Sequence, residues 1–116
     1  MLDDLMQEVQ VIIESYAFIR GMTDLDRTDN ALRFRLSIDQ TMFIQVYANS
    51  KKTKVNFALL SLGQRIYGRD SESGAWHRHP FEAPESHLIE DDAARPVTLT
   101  EFVMEVEELL LRESLL

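Results

Sequence analysis

The chain contains no cysteine. That absence excludes structural disulfides, thiolate metal centres and a cysteine nucleophile, and it is compatible with a reducing compartment. Proline is scarce as well, and all three prolines fall between Ser71 and Pro96. No run approaches the roughly 20 apolar residues that a membrane-spanning helix needs. The opening MLDDLMQEVQ carries acids where a secretory signal has a basic region and a long apolar core. These absences lead us to expect a soluble cytoplasmic protein with no membrane contact. The 116 residues suffice for one domain, 1–116, with a modest core.

Charge is distributed in blocks. The net charge is −8, yet residues 1–30 carry −5, residues 31–80 carry +5, and residues 81–116 carry −8. A basic middle between acidic ends either attracts a polyanion locally or pairs with its own acidic helices. The total charge opposes free nucleic-acid binding.

The hydrophobic pattern predicts an α+β fold. Leu2, Leu5, Met6, Val9, Ile12, Ile13 and Tyr16 recur at helical spacing, with Asp3 and Asp4 suited to the positive helix start. A first strand is expected over 15–22, followed by a polar loop from Thr23 to Asn30. Leu32, Phe34, Leu36 and Ile38 alternate with Arg33, Arg35 and Ser37, which is the period of a strand with one wet face. Further strands are expected around Met42–Tyr47, Thr53–Leu62 and Arg65–Asp70. Connections of a few residues make these about five strands of a curved antiparallel meander. Ser71 to Pro96 reads as a long loop containing the histidines. Thr98 and Glu101 then have the spacing of a capping box, opening a C-terminal helix with Leu99, Phe102, Val103, Val106, Leu109 and Leu110 along one face. If both helices cover one sheet face, Arg33 and Arg35, joined by Lys54 if register allows, make the other face basic. Glu105, Glu107 and Glu108 read as the wet face of the last helix. The leucine-rich end, Leu109-Leu110-Leu111 and Leu115-Leu116, exceeds one stripe and suggests a homodimer contact or a docking surface.

All three histidines and the only tryptophan fall between Trp76 and His87. Histidine titrates near neutrality and binds metals well, so this segment is where acid–base, phosphoryl or metal chemistry is expected. In an extended segment His77 and His79 point to one side and Arg78 to the other. Two imidazoles on one side can share the roles of base and acid. A cation for phosphate would come from Arg69, Arg65 or a lysine, with Arg78 contributing only if the loop turns; Tyr67 can donate a hydrogen bond. Trp76 serves as an anchor in the core or as a stacking platform. His77, His79 and His87 with Asp70 alternatively form a ligand set suited to zinc or a similar divalent ion. Three histidines in a polar loop are also compatible with an inert surface.

The order of elements, with Glu14 and Tyr16 near the start, Arg69-Asp70 and then Trp76-His77-Arg78-His79-Pro80, resembles the TumE-like family of toxin components of prokaryotic toxin–antitoxin modules. The resemblance implies a ribonuclease-type toxin acting on RNA or the ribosome, with a cognate antitoxin protein as partner. It implies catalytic roles for Asp70, His77 and His79, with no cofactor. The alternative function is a non-catalytic interaction protein on the same scaffold, binding through the basic sheet face or the leucine-rich end.

Overall fold

The computed structural model describes residues 2–86, 88 and 94–116. Two helices flank a six-stranded sheet in chain order: α1 (Leu2–Ser15), β1 (Gly21–Arg27), β2 (Ala31–Ser37), β3 (Met42–Asn49), β4 (Lys54–Ser61), β5 (Gln64–Glu72), β6 (Ala75–His79) and α2 (Leu99–Arg112). Each strand pairs antiparallel with the next, so the sheet is an uninterrupted, curved meander. The fold is α+β, as expected, with one strand more than the pattern suggested. No described helix is long and apolar enough to cross a membrane.

Both helices serve one face of the sheet. Side chains alternate across a strand, so Leu32, Phe34 and Leu36 of β2 meet Ala48, Val46 and Ile44 of β3, which meet Val55, Phe57 and Leu59 of β4. Against this surface α1 buries Leu5, Val9 and Ile12, and α2 buries Phe102, Val103, Val106 and Leu110. The capping box forms as read: Thr98 Oγ1 accepts from Glu101 N at 3.1 Å, and Glu101 Oε1 accepts from Thr98 N at 3.0 Å. Glu8 of α1 joins the two helices. Its Oε2 accepts from the backbone N and the hydroxyl of Thr100, each at 2.7 Å, a charge-assisted contact at the positive end of α2.

Two expectations are corrected. The first strand is not 15–22. Residues 16–20 form the turn that leaves α1, with Ile19 N donating to Tyr16 O at 3.0 Å, and β1 shares only Gly21 and Met22 with the expected strand, its remainder lying in residues read as a loop. It is an edge strand, exposed over most of its length, so no buried alternation marks it; backbone pairing with β2 creates it. Nor is Ser71 to Pro96 one loop. β5 runs on to Glu72, turns at Ser73-Gly74 and returns as β6. Positive φ at both turn residues, +53° and +84°, is the geometry that matches a two-residue hairpin to strand twist. His77 and His79 therefore stand on a strand, held by a backbone ladder.

Candidate functional site

Register sorts the chemistry-bearing residues onto two faces. Phe57 faces Arg69, and Leu59 faces Tyr67, which puts Tyr67 and Arg69 on the helix-covered side. Arg69 faces Arg78 and Ser71 faces Trp76, so these belong to the same side. The uncovered face takes the other set. One row crosses all six strands: Asp26, Arg33, Tyr47, Asn56, Asp70 and His77 are successive cross-strand partners. Beside it runs Arg35, Gln45, Ala58, Gly68 and His79.

At the β5–β6 end of these rows Asp70 lies between the two histidines. His79 Nε2 is 3.2 Å from Asp70 Oδ2, and His77 Nδ1 is 3.4 Å from Oδ1. The pair follows from the hairpin: a turn centred on 73–74 sets position 70 opposite 77. The second ring nitrogen of His79 lies 3.0 Å from Pro84 O, on the segment that folds back over this corner. Arg65 Nη2 donates to the same carbonyl at 3.4 Å. Gly68 makes the crowding feasible; a Cβ there would stand 3.2 Å from Phe57 O and 3.3 Å from Arg65 Cδ.

The two histidines are consequently unequal. His79 is 1% exposed, with an oxygen against each ring nitrogen. It holds Asp70 and the folded-back segment in place and has no surface on which to meet a substrate. The two imidazoles do lie on one side of the strand, as expected, but the burial of His79 leaves it no part in shared base and acid roles. His77 retains 28% of its side-chain surface. Its Nδ1 faces the carboxylate, the arrangement that fixes an imidazole for proton transfer through the opposite nitrogen. Asp70 Oδ1 is sealed from solvent and accepts no hydrogen bond among the described residues. A buried acceptor in that condition gains most from a charged partner, and a proton arriving on His77 provides one.

Four residues expected at the substrate are placed elsewhere. Arg69 is 3% exposed and forms a two-pronged pair with Glu105 of α2, Nε to Oε1 at 3.1 Å and Nη2 to Oε2 at 2.7 Å. Tyr67 donates to Glu105 Oε1 at 2.6 Å and stacks on Phe102. Both serve the helix–sheet joint, and Glu105 is their counter-charge rather than part of a wet helix face. Arg78 points to the same side, where it lines a cleft of about 270 Å³ with Tyr67, Glu105 and Arg112. Trp76 packs near Phe57, ring centroids 6.3 Å apart, as an anchor. Of the arginines expected at phosphate, Arg65 alone lies on the face of His77.

Burial, the Glu105 hydrogen bond and the Glu105 charge together push the Tyr67 hydroxyl up to about 12 from 10.0. A raised folded-state value means the contribution is intact below pH 10 and is lost as pH climbs to about 12. Unfolding free energy should therefore fall across that alkaline window, and Tyr67→Phe should flatten the fall. Parallel pH curves for the two proteins in urea titrations would contradict the assignment.

The zinc alternative gains no ligand set. Among the described residues no group of three or more candidate ligands is placed to hold a metal ion, and His79 already has both nitrogens against oxygens. His87 lies outside the described residues.

The groove beside this corner was only partly foreseen. About 420 Å³ of space on the uncovered face is bounded by Arg33, Tyr47, Lys52, Lys54, Asn56 and Arg65, with Ala58 on its floor. Lys54 joins Arg33 there, which settles the register that the sequence leaves open. Lys52 enters from the β3–β4 turn, where Asn49 Oδ1 accepts its backbone N–H at 2.9 Å. No protein-family profile matches the chain, and comparisons with curated proteins and with solved structures found no match.

Proposed function

We propose that this protein is a metal-independent endoribonuclease acting as the toxin of a toxin–antitoxin pair. His77 is its base, oriented by Asp70. The observation that carries the reading is the sealed Oδ1 of Asp70 beside a partly exposed His77, at the end of a polar row on the uncovered sheet face. RNA supplies its own nucleophile. The 2′-oxygen bonds to phosphorus as the bond to the 5′-oxygen breaks, and His77 takes the 2′-hydroxyl proton. Asp70 stabilises the resulting imidazolium, and the departing 5′-oxygen takes a proton from water. Lys54 and Arg65 flank the row of His77 on either side and meet the charge developing on phosphate. His79 and Pro84 O act as positioning groups.

The C-terminal end supports a protein partner. Leu111, Leu115 and Leu116 are exposed, Leu111 by 62%, which suits docking by an antitoxin or a second copy. Expression in a host lacking the antitoxin should arrest growth, and His77→Ala should restore it. Unimpaired growth with abundant folded wild-type protein would count against the reading.

A further inference from the structure

We infer that the groove over β2–β4 is a binding platform for single-stranded RNA, which it leads toward His77. The inference rests on the ribonuclease reading for its choice of RNA, and on independent features for the platform itself.

The first feature is segregation of charge. Strands β2–β5 come from the basic stretch of the sequence, and their uncovered face gathers Arg33, Arg35, Lys52, Lys54 and Arg65. Against them, among the described residues, stand Asp26, Asp70 and Glu72, with Glu85 beside Arg65 on the folded-back segment; Asp70 is engaged with the histidines, and Glu72 lies 3.8 Å from Lys54. Except for Glu105 and Glu8, which turn inward to Arg69 and Thr100, the acids of α1 and α2 lie beyond the opposite face, on a helix layer roughly 10 Å thick. That distance matches the screening length of physiological salt, about 8 Å. The net charge of −8 therefore does not describe the groove, whose described side chains carry more cations than acids.

The second feature is interleaved aromatic and cationic surface. The Arg33 guanidinium sits 5.2 Å from the Tyr47 ring centre, and that of Arg35 sits 4.2 Å from Phe43. Such layers offer flat π surface to unstacked bases, which stack on aromatic rings and on guanidinium planes alike. Gln45 lies between Phe43 and Tyr47 on the same side of β3, and Asn56 lies opposite Tyr47. Their amides reach base edges that a duplex would hide. Ala58 keeps the floor low between the cations.

The third feature is alignment. Tyr47, Asn56, Asp70 and His77 are successive partners across the sheet, so three strand spacings of about 4.8 Å separate the platform from the base. A short run of nucleotides laid across the strands therefore reaches from Tyr47 to His77. An acidic protein segment would use the cations and leave the aromatic layers idle, which is why we assign the face to RNA.

The test is fluorescence anisotropy with a labelled, 2′-O-methylated single-stranded oligonucleotide, which binds without being cleaved. Binding should weaken by on the order of tenfold between about 50 and 200 mM salt. Arg33→Ala combined with Lys54→Ala should weaken it at least tenfold. Tyr47→Leu, which keeps an apolar side chain but loses the ring, should cost on the order of tenfold through lost stacking. Thermal melting of each variant shows that it remains folded. Unchanged affinity in folded variants overturns the inference, as does equal affinity for a duplex of the same length or for polyglutamate. Variant-sensitive binding with no cleavage of unmodified RNA would keep the platform and remove the His77 chemistry. Cleavage with affinity indifferent to these substitutions would do the reverse.

Discussion

Replacing His77 with alanine is expected to slow RNA cleavage by about 10²–10⁴-fold, the range contributed by a positioned general base. The side chain is 28% exposed and lies on the uncovered face, so its removal opens no core cavity and the melting temperature should stay close to that of the wild type. Asp70→Asn tests the same unit from behind. Asparagine keeps the shape but cannot balance a charged imidazole, and its amide group would present a donor where His77 or His79 now meets an acceptor. A rate loss comparable to that of His77→Ala is expected, with little change in affinity for the uncleavable oligonucleotide. Cleavage by His77→Ala at the wild-type rate would remove this residue from the chemistry.

The largest effect on stability should come from Glu105→Ala. Arg69 is almost fully buried beneath α2, and its guanidinium meets Glu105 along two edges. Although burial alone works against a charged guanidinium, the hydrogen bonds and charge of Glu105 outweigh it and raise the Arg69 value. Removing the carboxylate takes from that buried cation the partner it meets along two edges, and takes from the Tyr67 hydroxyl its acceptor on Glu105. Breaking a buried pair from one side typically costs about 3–5 kcal/mol, a large share of the stability of a domain of this size. Glu105→Gln should cost less, because an amide oxygen still accepts from Tyr67. Replacing Arg69 and Glu105 together with leucines should recover much of the loss, since the buried cation is then removed along with its carboxylate. Chemical denaturation of the set separates these cases, and a loss below about 1 kcal/mol for Glu105→Ala would contradict the account.

The contrast between these residues shows what was legible in the sequence. Strands β2 and β3 and both helices declare themselves because burial on one side imposes a period on their apolar residues. β1 has no buried side to impose one, being an edge strand. β6 is disguised for a different reason. Its inward residues are Trp76 and Arg78, and its outward residues are histidines, so a period of two exists without a hydrophobic contrast. The available signal was Ser73-Gly74, a turn pair flanked by that weak alternation. Once the hairpin is centred there, Asp70 falls opposite His77, and the meeting of the two follows. The same-side placement of His77 and His79 was legible from strand geometry, whereas the burial of His79 depends on Pro84 O folding over it. Arg69 and Tyr67 were read as phosphate-binding because a guanidinium and a phenol can each serve that role. Their partner, Glu105, lies 36 and 38 residues further along the chain, and nothing local to either segment announces it.

The chemistry assigned to His77 leaves a specific mark on its product. Attack by the 2′-oxygen ends one fragment in a 2′,3′-cyclic phosphate, or the monophosphate derived from it, and begins the next with a 5′-hydroxyl. Mass spectrometry of single-stranded RNA incubated with the purified protein and excess EDTA reads both ends at once. The account predicts cyclic phosphate and 5′-hydroxyl ends with the wild type and intact RNA with His77→Ala. Intact RNA with both proteins, or 5′-phosphate ends that vanish when the metal is chelated, would contradict it.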